Sequence, residues 1–196
     1  MFVAAIHLTA MELILASASP RRREILSRIT PDFSVIPATC PETADFSQPP
    51  ERIAEQLARQ KAENVYRTHP AALVLGADTL VWADGKALGK PKDAADAARM
   101  LRSLSGRPHR VYTGYCLRGP SVDRSGHAVT EVFFNDLSDE WIAGYVATGS
   151  PLDKAGAYGI QDDARLVRRV CGSYTNVVGL PEEEIRARLA ELGVLS

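Results

Sequence analysis

Apolar and polar positions follow two rhythms along this chain. Short apolar runs at Leu13–Ser17, Phe33–Pro37, Leu73–Ala77, Val81–Ala83, His109–Arg118 and Ala128–Phe134 read as strands. Stretches near 20–29, 50–66 and 94–104 instead carry apolar residues every three to four positions, the spacing of a helix with one buried face. This alternation predicts an α/β fold. The last two apolar runs are joined by the polar segment Gly119–Gly126 and read as an antiparallel ribbon added to the sheet. Ser138 opens a helix ending near Gly149. Pro181-Glu182-Glu183-Glu184 opens the last one, acidic in its first turn as the helix dipole favours, and closed near Gly193.

Two interruptions of this pattern point to chemistry. Ser19 reads as the N-cap and Pro20 as the first residue of a helix whose next positions are Arg21, Arg22 and Arg23. A helix start already carries partial positive charge, so each cation there is unfavourable by about 0.3–1 kcal/mol where a carboxylate would help. Free backbone N–H groups together with planar guanidinium donors make an anion site, suited to phosphate. In the helix over 50–66, Ile53, Leu57, Lys61 and Val65 share one face, and Lys61 breaks the apolar stripe. Either its ammonium snorkels at the edge of the stripe or it meets a carboxylate or phosphate in a cleft.

Composition narrows the classes. The chain has 196 residues, 45% hydrophobic and 24% charged, enough for one domain with a buried core and with no linker visible inside it. A net charge of −1 excludes a general nucleic-acid binder, so any anion site is local. The three cysteines, Cys40, Cys116 and Cys171, lack metal-type spacing and are odd in number, which fits a reducing cytoplasm. No apolar run approaches the roughly 20 residues that span a membrane. Met11 directly precedes the first convincing strand, so residues 1–10 are expected to be a disordered extension or a mis-assigned start, with the functional domain at 11–196.

Gly76-Ala77-Asp78-Thr79 follows Leu73-Val74-Leu75, which places Asp78 at the carboxyl end of a buried strand, where open α/β sheets form ligand crevices. Gly89-Lys90-Pro91 displays a cation on a turn, and Glu42 lies in the loop after Phe33–Pro37. Together these supply carboxylates for a hard divalent ion, cations for phosphate oxygens and a base for water. Asp153–Gln161 is a second dense stretch. Its glycines admit close backbone approach, and Tyr158 and Gln161 can stack on or hydrogen-bond a base; it also reads as a plain turn. His109 is either a ligand or base, or a satisfied strand-end histidine, the commoner case. No Walker A loop is present.

The ordered set Ser17-Ala18-Ser19-Pro20-Arg21-Arg22, Gln60-Lys61-Ala62, Gly76-Ala77-Asp78-Thr79, Leu88-Gly89-Lys90-Pro91, Leu104-Ser105-Gly106, His109 with Thr113-Gly114, Asp153–Gln161 and Gly172–Pro181 resembles the Maf nucleoside triphosphate pyrophosphatases from about Met11 to Leu195. The resemblance implies a single elongated α/β domain with a mixed, twisted sheet, flanking helices and a deep central cleft, related to inosine triphosphate pyrophosphatases. It further implies a cytoplasmic homodimer, no nucleic-acid or membrane partner, and dependence on a divalent cation, Mg²⁺ or Mn²⁺. Asp78 would be the catalytic base and a metal ligand, Glu42 the second metal ligand. Ser19, Arg21, Arg22, Lys61, Thr79, Lys90 and Gln161 would bind substrate. Arg21, Thr79 and Gln161 match the branch acting on dTTP and UTP, and Gln161 offers both a donor and an acceptor to the O4 and N3–H edge of those bases. The family often has Glu where Ser150 stands and Gly where Asp162 stands. The first change bears on metal affinity, and the second puts a negative charge beside the expected base pocket. Two alternatives stay open at this point: a nucleotide-binding regulator of cell division without turnover, and a house-cleaning pyrophosphatase for other modified nucleotides.

Overall fold

The computed structural model describes residues 11–195; the expectation for residues 1–10 lies outside them. Strands β1 (Leu13–Leu15), β2 (Ser34–Val35), β3 (Leu73–Ala83), β4 (Lys86–Leu88), β5 (Pro108–Gly119), β6 (Val122–Phe134) and β7 (Val167–Cys171) form one mixed sheet. Its order is β2-β1-β3-β5-β6-β7, with β4 paired to β3. The helices are α1 (Pro20–Ile29), α2 (Pro50–Tyr66), α3 (Ala94–Leu104), α4 (Asp139–Ala147), α5 (Tyr174–Val178) and α6 (Glu182–Glu191). Two 3₁₀ turns, Ser150–Asp153 and Ala155–Ala157, follow α4. Among the described residues no helix is long and apolar enough to cross a membrane.

The α/β class is as expected, but three local expectations fail. Leu73–Ala77 and Val81–Ala83 are one continuous strand, because the nine pairs from Val74–Arg118 to Trp82–Arg110 run through Asp78 without a break. The polar stretch Gly119–Gly126 is mostly strand: Arg118 pairs Asp123 and Tyr115 pairs Gly126, so only Pro120 and Ser121 lie outside β5 and β6. An exposed sheet face accepts charged side chains as long as the backbone ladder closes. Strand β7, with its two adjacent arginines, was not foreseen; it pairs β6 along the sheet edge.

Side chains alternate across β3, and this sorts the core. Leu73, Leu75 and Ala77 pack with Ile25 and Leu26 of α1 and with Ile185 and Leu189 of α6. Val74 and Leu80 face the other way, toward Ala58, Ala62 and Val65 and toward Ile53 and Leu57 of α2. The antiparallel end is covered by α3 and α4 through Met100, Leu101, Leu104 and Ile142, which share a cluster with Phe134 of β6.

Helix α2 lies unusually close to the sheet because glycines stand under it. A Cβ on Gly76 would sit 2.3 Å from the Ala58 carbonyl oxygen, and one on Gly114 would sit 2.2 Å from the Ala54 carbonyl carbon. Ala54, Ala58 and Ala62 supply the matching small surface one helical turn apart. The collisions are with backbone, which cannot rotate aside, so Gly114→Ala is expected to destabilise the protein by about 1–3 kcal/mol, the usual penalty of overpacking. Urea unfolding of the variant measures this.

His109 is buried at the antiparallel end, with Nε2 2.7 Å from the Tyr158 hydroxyl and its ring edge-on to Phe134 and Tyr158. Its Nδ1 has no partner. Burial alone pushes its pKa down from 6.5 to about 4. The folded protein therefore holds a neutral imidazole that the unfolded chain would protonate first. This contribution is fully present above pH 6.5 and is lost as pH falls toward 4, up to about 3 kcal/mol in total. Denaturant titrations across that window should show a shallower loss of stability in His109→Gln than in the parent.

Candidate active site

The site opens where β3 loses a neighbour. Strand β1 pairs β3 only along Leu73–Leu75, Ala16 N donates to the Leu75 carbonyl at 2.8 Å, and the chain then turns away into α1. On the same edge β4 joins only from Val81. Gly76–Leu80 borders this opening, and a cleft of about 1010 Å³ forms there. Asp78 is thus mid-strand rather than at a strand end, and the end that matters is that of β1. Ser19, Arg21, Arg22, Glu42, Lys61, Asp78, Thr79, Lys90 and Gln161 all line this cleft.

The period of two splits the site between the faces of β3. Asp78, 7% exposed, faces α2, where Lys61 Nζ lies 2.5 Å from its Oδ1 and 2.9 Å from Glu42 Oε1. Lys61 therefore meets carboxylates in a cleft, the second of the two readings open to it. Burial raises the Glu42 pKa, but the hydrogen bond and charge of Lys61, with Lys90 and Arg22 adding, outweigh it and leave Glu42 below the usual range. Thr79 faces the other way, toward α1, and accepts from Arg22 Nη2 at 3.1 Å.

Arg22 and Arg21 differ sharply. Arg22 also donates through Nε to the Gly179 carbonyl at 2.8 Å and through Nη1 to Ser17 Oγ at 3.3 Å. Burial lowers its pKa, Asp78 and Glu42 oppose this, and Arg21 reinforces it. Arg21 reaches only Asp153, at 3.7 Å across the cleft, and Arg23 is exposed. Ser19 caps α1, its hydroxyl accepting from the Arg22 amide at 3.4 Å. Lys90 and Gln161 are both exposed on the cleft wall.

The donor chemistry suits a hard divalent cation. Two carboxylates share a single point of positive charge, and such ions are commonly held by one or two carboxylates plus substrate phosphates. Among the described residues no group of three or more His, Cys, Asp or Glu side chains forms a complete metal cage.

The sequence pattern of the family described as Maf-like protein matches residues 12–192, nearly the whole chain. This chain belongs to the Maf-like family. Relatives named dTTP/UTP pyrophosphatase include one from Thermococcus gammatolerans, 54% identical over 182 residues that cover 92% of this chain and 96% of that protein. Another, from Koribacter versatilis, is 50% identical over 186 residues, covering 94% and 96%. Among solved structures, the Ham1 proteins of Staphylococcus aureus and Coxiella burnetii each align with a TM-score of 0.55, at 16% and 18% identity, over 92% of this chain and 99% of theirs. At that identity the likeness speaks for the fold alone.

Two expectations for this Maf-like chain need correction. Tyr158 lines the cleft, but its hydroxyl is turned to His109 inside the core rather than toward a base. Asp162 and Ser150 do not line the cleft; both face a different groove. Sequence reasoning also missed Lys154. Its Nζ, buried in the cleft wall, donates to the Ser150 carbonyl at 2.5 Å and to Asp153 Oδ1 at 2.9 Å, while the other oxygen of Asp153 faces Arg21. Nothing in a lysine beside an aspartate signals such a link. A buried relay was missed too: Thr79 Oγ1 lies 3.0 Å from Thr113 Oγ1, which donates to the Asn176 carbonyl at 2.8 Å, and Asn176 Nδ2 donates to Val111 O and Thr130 Oγ1.

Arg22→Lys should lower stability by about 1–3 kcal/mol, because an ammonium cannot reproduce a three-way planar fork and leaves buried acceptors unpaired. Arg21→Lys should stay within about 0.5 kcal/mol, as for an exposed pair. Thermal unfolding of the two variants side by side gives the comparison.

Proposed function

We propose that this protein is a nucleoside triphosphate pyrophosphatase that hydrolyses dTTP and UTP to the nucleoside monophosphate and pyrophosphate. The observation that carries the reading is Lys61 set between Asp78 and Glu42 in a cleft otherwise rich in cations, in a chain about half identical to proteins named for this activity. The triphosphate lies along the cleft with its phosphates against Arg21, Lys61, Lys90 and the start of α1. Arg22 and Thr79 fix the α1 side of this wall, and Ser19 caps the helix that presents it. Gln161 meets the O4 and N3–H edge of the base.

The oxygen of a water molecule bonds to the α-phosphorus while the α–β anhydride bond breaks. Asp78 takes the proton from that water, and the electron pair leaves with pyrophosphate. Mg²⁺ or Mn²⁺, held by Glu42 and Asp78, would supply charge neutralisation to the phosphate oxygens. In the free protein Lys61 bridges the two carboxylates and holds them close together. Positioning and charge stabilisation account for most of the acceleration. The enzyme acts as a cytoplasmic homodimer, with residues 11–196 as the catalytic unit.

The test is release of pyrophosphate and monophosphate from a panel of canonical and modified triphosphates, with and without Mg²⁺ or Mn²⁺. Cation-dependent release greatest for dTTP and UTP is expected, and Asp78→Asn should reduce turnover by about 10²–10⁴. Unchanged turnover in Asp78→Asn removes Asp78 as the base. Tight nucleotide binding with no product from any triphosphate would instead favour a non-catalytic regulator, and greater activity on modified purine nucleotides a house-cleaning role.

A further inference from the structure

The segment that carries Gln161 is held from outside the cleft. Gly159-Ile160-Gln161-Asp162 is a four-residue turn closed by the Asp162 amide donating to the Gly159 carbonyl at 3.0 Å. Its three consecutive side chains go three ways. Ile160 is buried in the core with Phe134 and Leu166, Gln161 lines the cleft, and Asp162 lines a separate groove of about 600 Å³ beside Trp141 and Tyr145. The Asp162 side chain is only 16% exposed. Its Oδ2 accepts from the Tyr145 hydroxyl at 2.7 Å and from Ser150 Oγ at 2.6 Å, and lies 3.6 Å from Lys154 Nζ.

The same hydroxyl of Tyr145 accepts from the Gly159 amide at 3.1 Å, so one phenol ties both ends of the turn to α4. The Asp162 carboxylate also packs flat on Gly159: a Cβ there would stand 2.6 Å from Oδ1. Tyr145 is in turn stacked on Trp141, with ring centroids 5.0 Å apart. A turn fixed at both ends, with its second side chain in the core, leaves its third side chain little freedom of direction. Several mutually supporting bonds to one carboxylate are stiffer than the same bonds taken singly.

We propose that Asp162, held by Tyr145, Ser150 and Lys154, is a positioning residue for base selection: it acts through Gln161 and touches no substrate. The proposal rests on the base contact assigned to Gln161 above. UTP and CTP differ at the edge that Gln161 would read, whereas inorganic tripolyphosphate has no base at all. Asp162→Ala should raise KM for UTP about 10-fold and erase a similar factor of preference for UTP over CTP, the scale of a misdirected polar contact. Its kcat for UTP should stay within about threefold and its inhibition by tripolyphosphate should be unchanged. Hydrogen exchange at the Gly159 and Asp162 amides should speed up. Ser150→Ala, which removes the Oγ bonds to Asp162 and from Lys154 and keeps the carboxylate, should shift preference in the same direction by less, and Asp162→Asn should restore part of it.

Asp162→Ala placed on Gln161→Ala should change the preference no further, because both act through one side chain. Additive losses, equal KM increases for UTP and CTP with weaker tripolyphosphate inhibition, or unchanged amide exchange would each overturn the proposal. If Gln161→Ala keeps the parent preference, the base contact itself falls and the role in selection with it. The panel of triphosphates tests the hydrolytic reading separately, since it is scored by pyrophosphate release rather than by preference.

Discussion

The close seating of α2 on the sheet is the constraint on which the rest depends. Lys61 can reach Asp78 only because the backbone of α2 comes down onto Gly76 and Gly114, and Ala54, Ala58 and Ala62 leave it room to do so. Any larger residue at these contacts would lift the helix and draw the ammonium away from the two carboxylates. The burial of Ile53, Leu57 and Val65 on the same helix supplies the apolar contact that makes the approach favourable. The Lys61–Asp78 pairing and the hydrophobic core are therefore one packing arrangement.

Where β3 loses its parallel neighbour, the sheet hands its polar positions to a cleft. Asp78 and Thr79 are adjacent in sequence and point to opposite faces, so one strand addresses Lys61 on α2 and Arg22 on α1 at once. The Thr79 side is braced by Thr113 and Asn176, which connect the cleft to the Gly172–Pro181 segment far along the chain. The opposite wall is tied to this one through Arg21, Asp153 and Lys154. A site assembled in this way has few side chains whose direction is left to chance.

Local features of the site were legible in the sequence, and its long-range bonds were not. The arginines at a helix start and the lysine on an apolar stripe violate helical rules within a few residues, so they could be seen without a fold. They could not be told apart: Arg22 is bonded to Gly179, 157 positions away, while Arg21 is not, and no spacing encodes that difference. Asp78 reads as a strand terminus because the apolar run stops at Ala77, yet the strand continues through it to Ala83, and Gly76 within it admits the close approach of α2. Asp162 was expected to bring charge to the base pocket, and the turn it closes sends its carboxylate to the other side. In a tight turn, the direction of a side chain depends on its partners, here Tyr145 and Ser150, and these become known only with the fold.

The electrostatics show why an almost neutral chain can hold a polyanion. The net charge is −1, yet six basic and three acidic side chains line the cleft. The local excess is of the order needed to offset a triphosphate whose charge is partly balanced by a divalent cation. Confining it to a recess has two consequences. Field lines are focused between low-dielectric walls, so the attraction acts at the entrance to the site rather than over the whole surface. The three acids also keep the bases from repelling one another before substrate arrives: Glu42 and Asp78 on Lys61, and Asp153 between Arg21 and Lys154. Entry of a triphosphate would exchange existing ion pairs for new ones, which makes binding less dependent on raw charge and more on whether the phosphates fit the geometry that α1 and α2 hold in place.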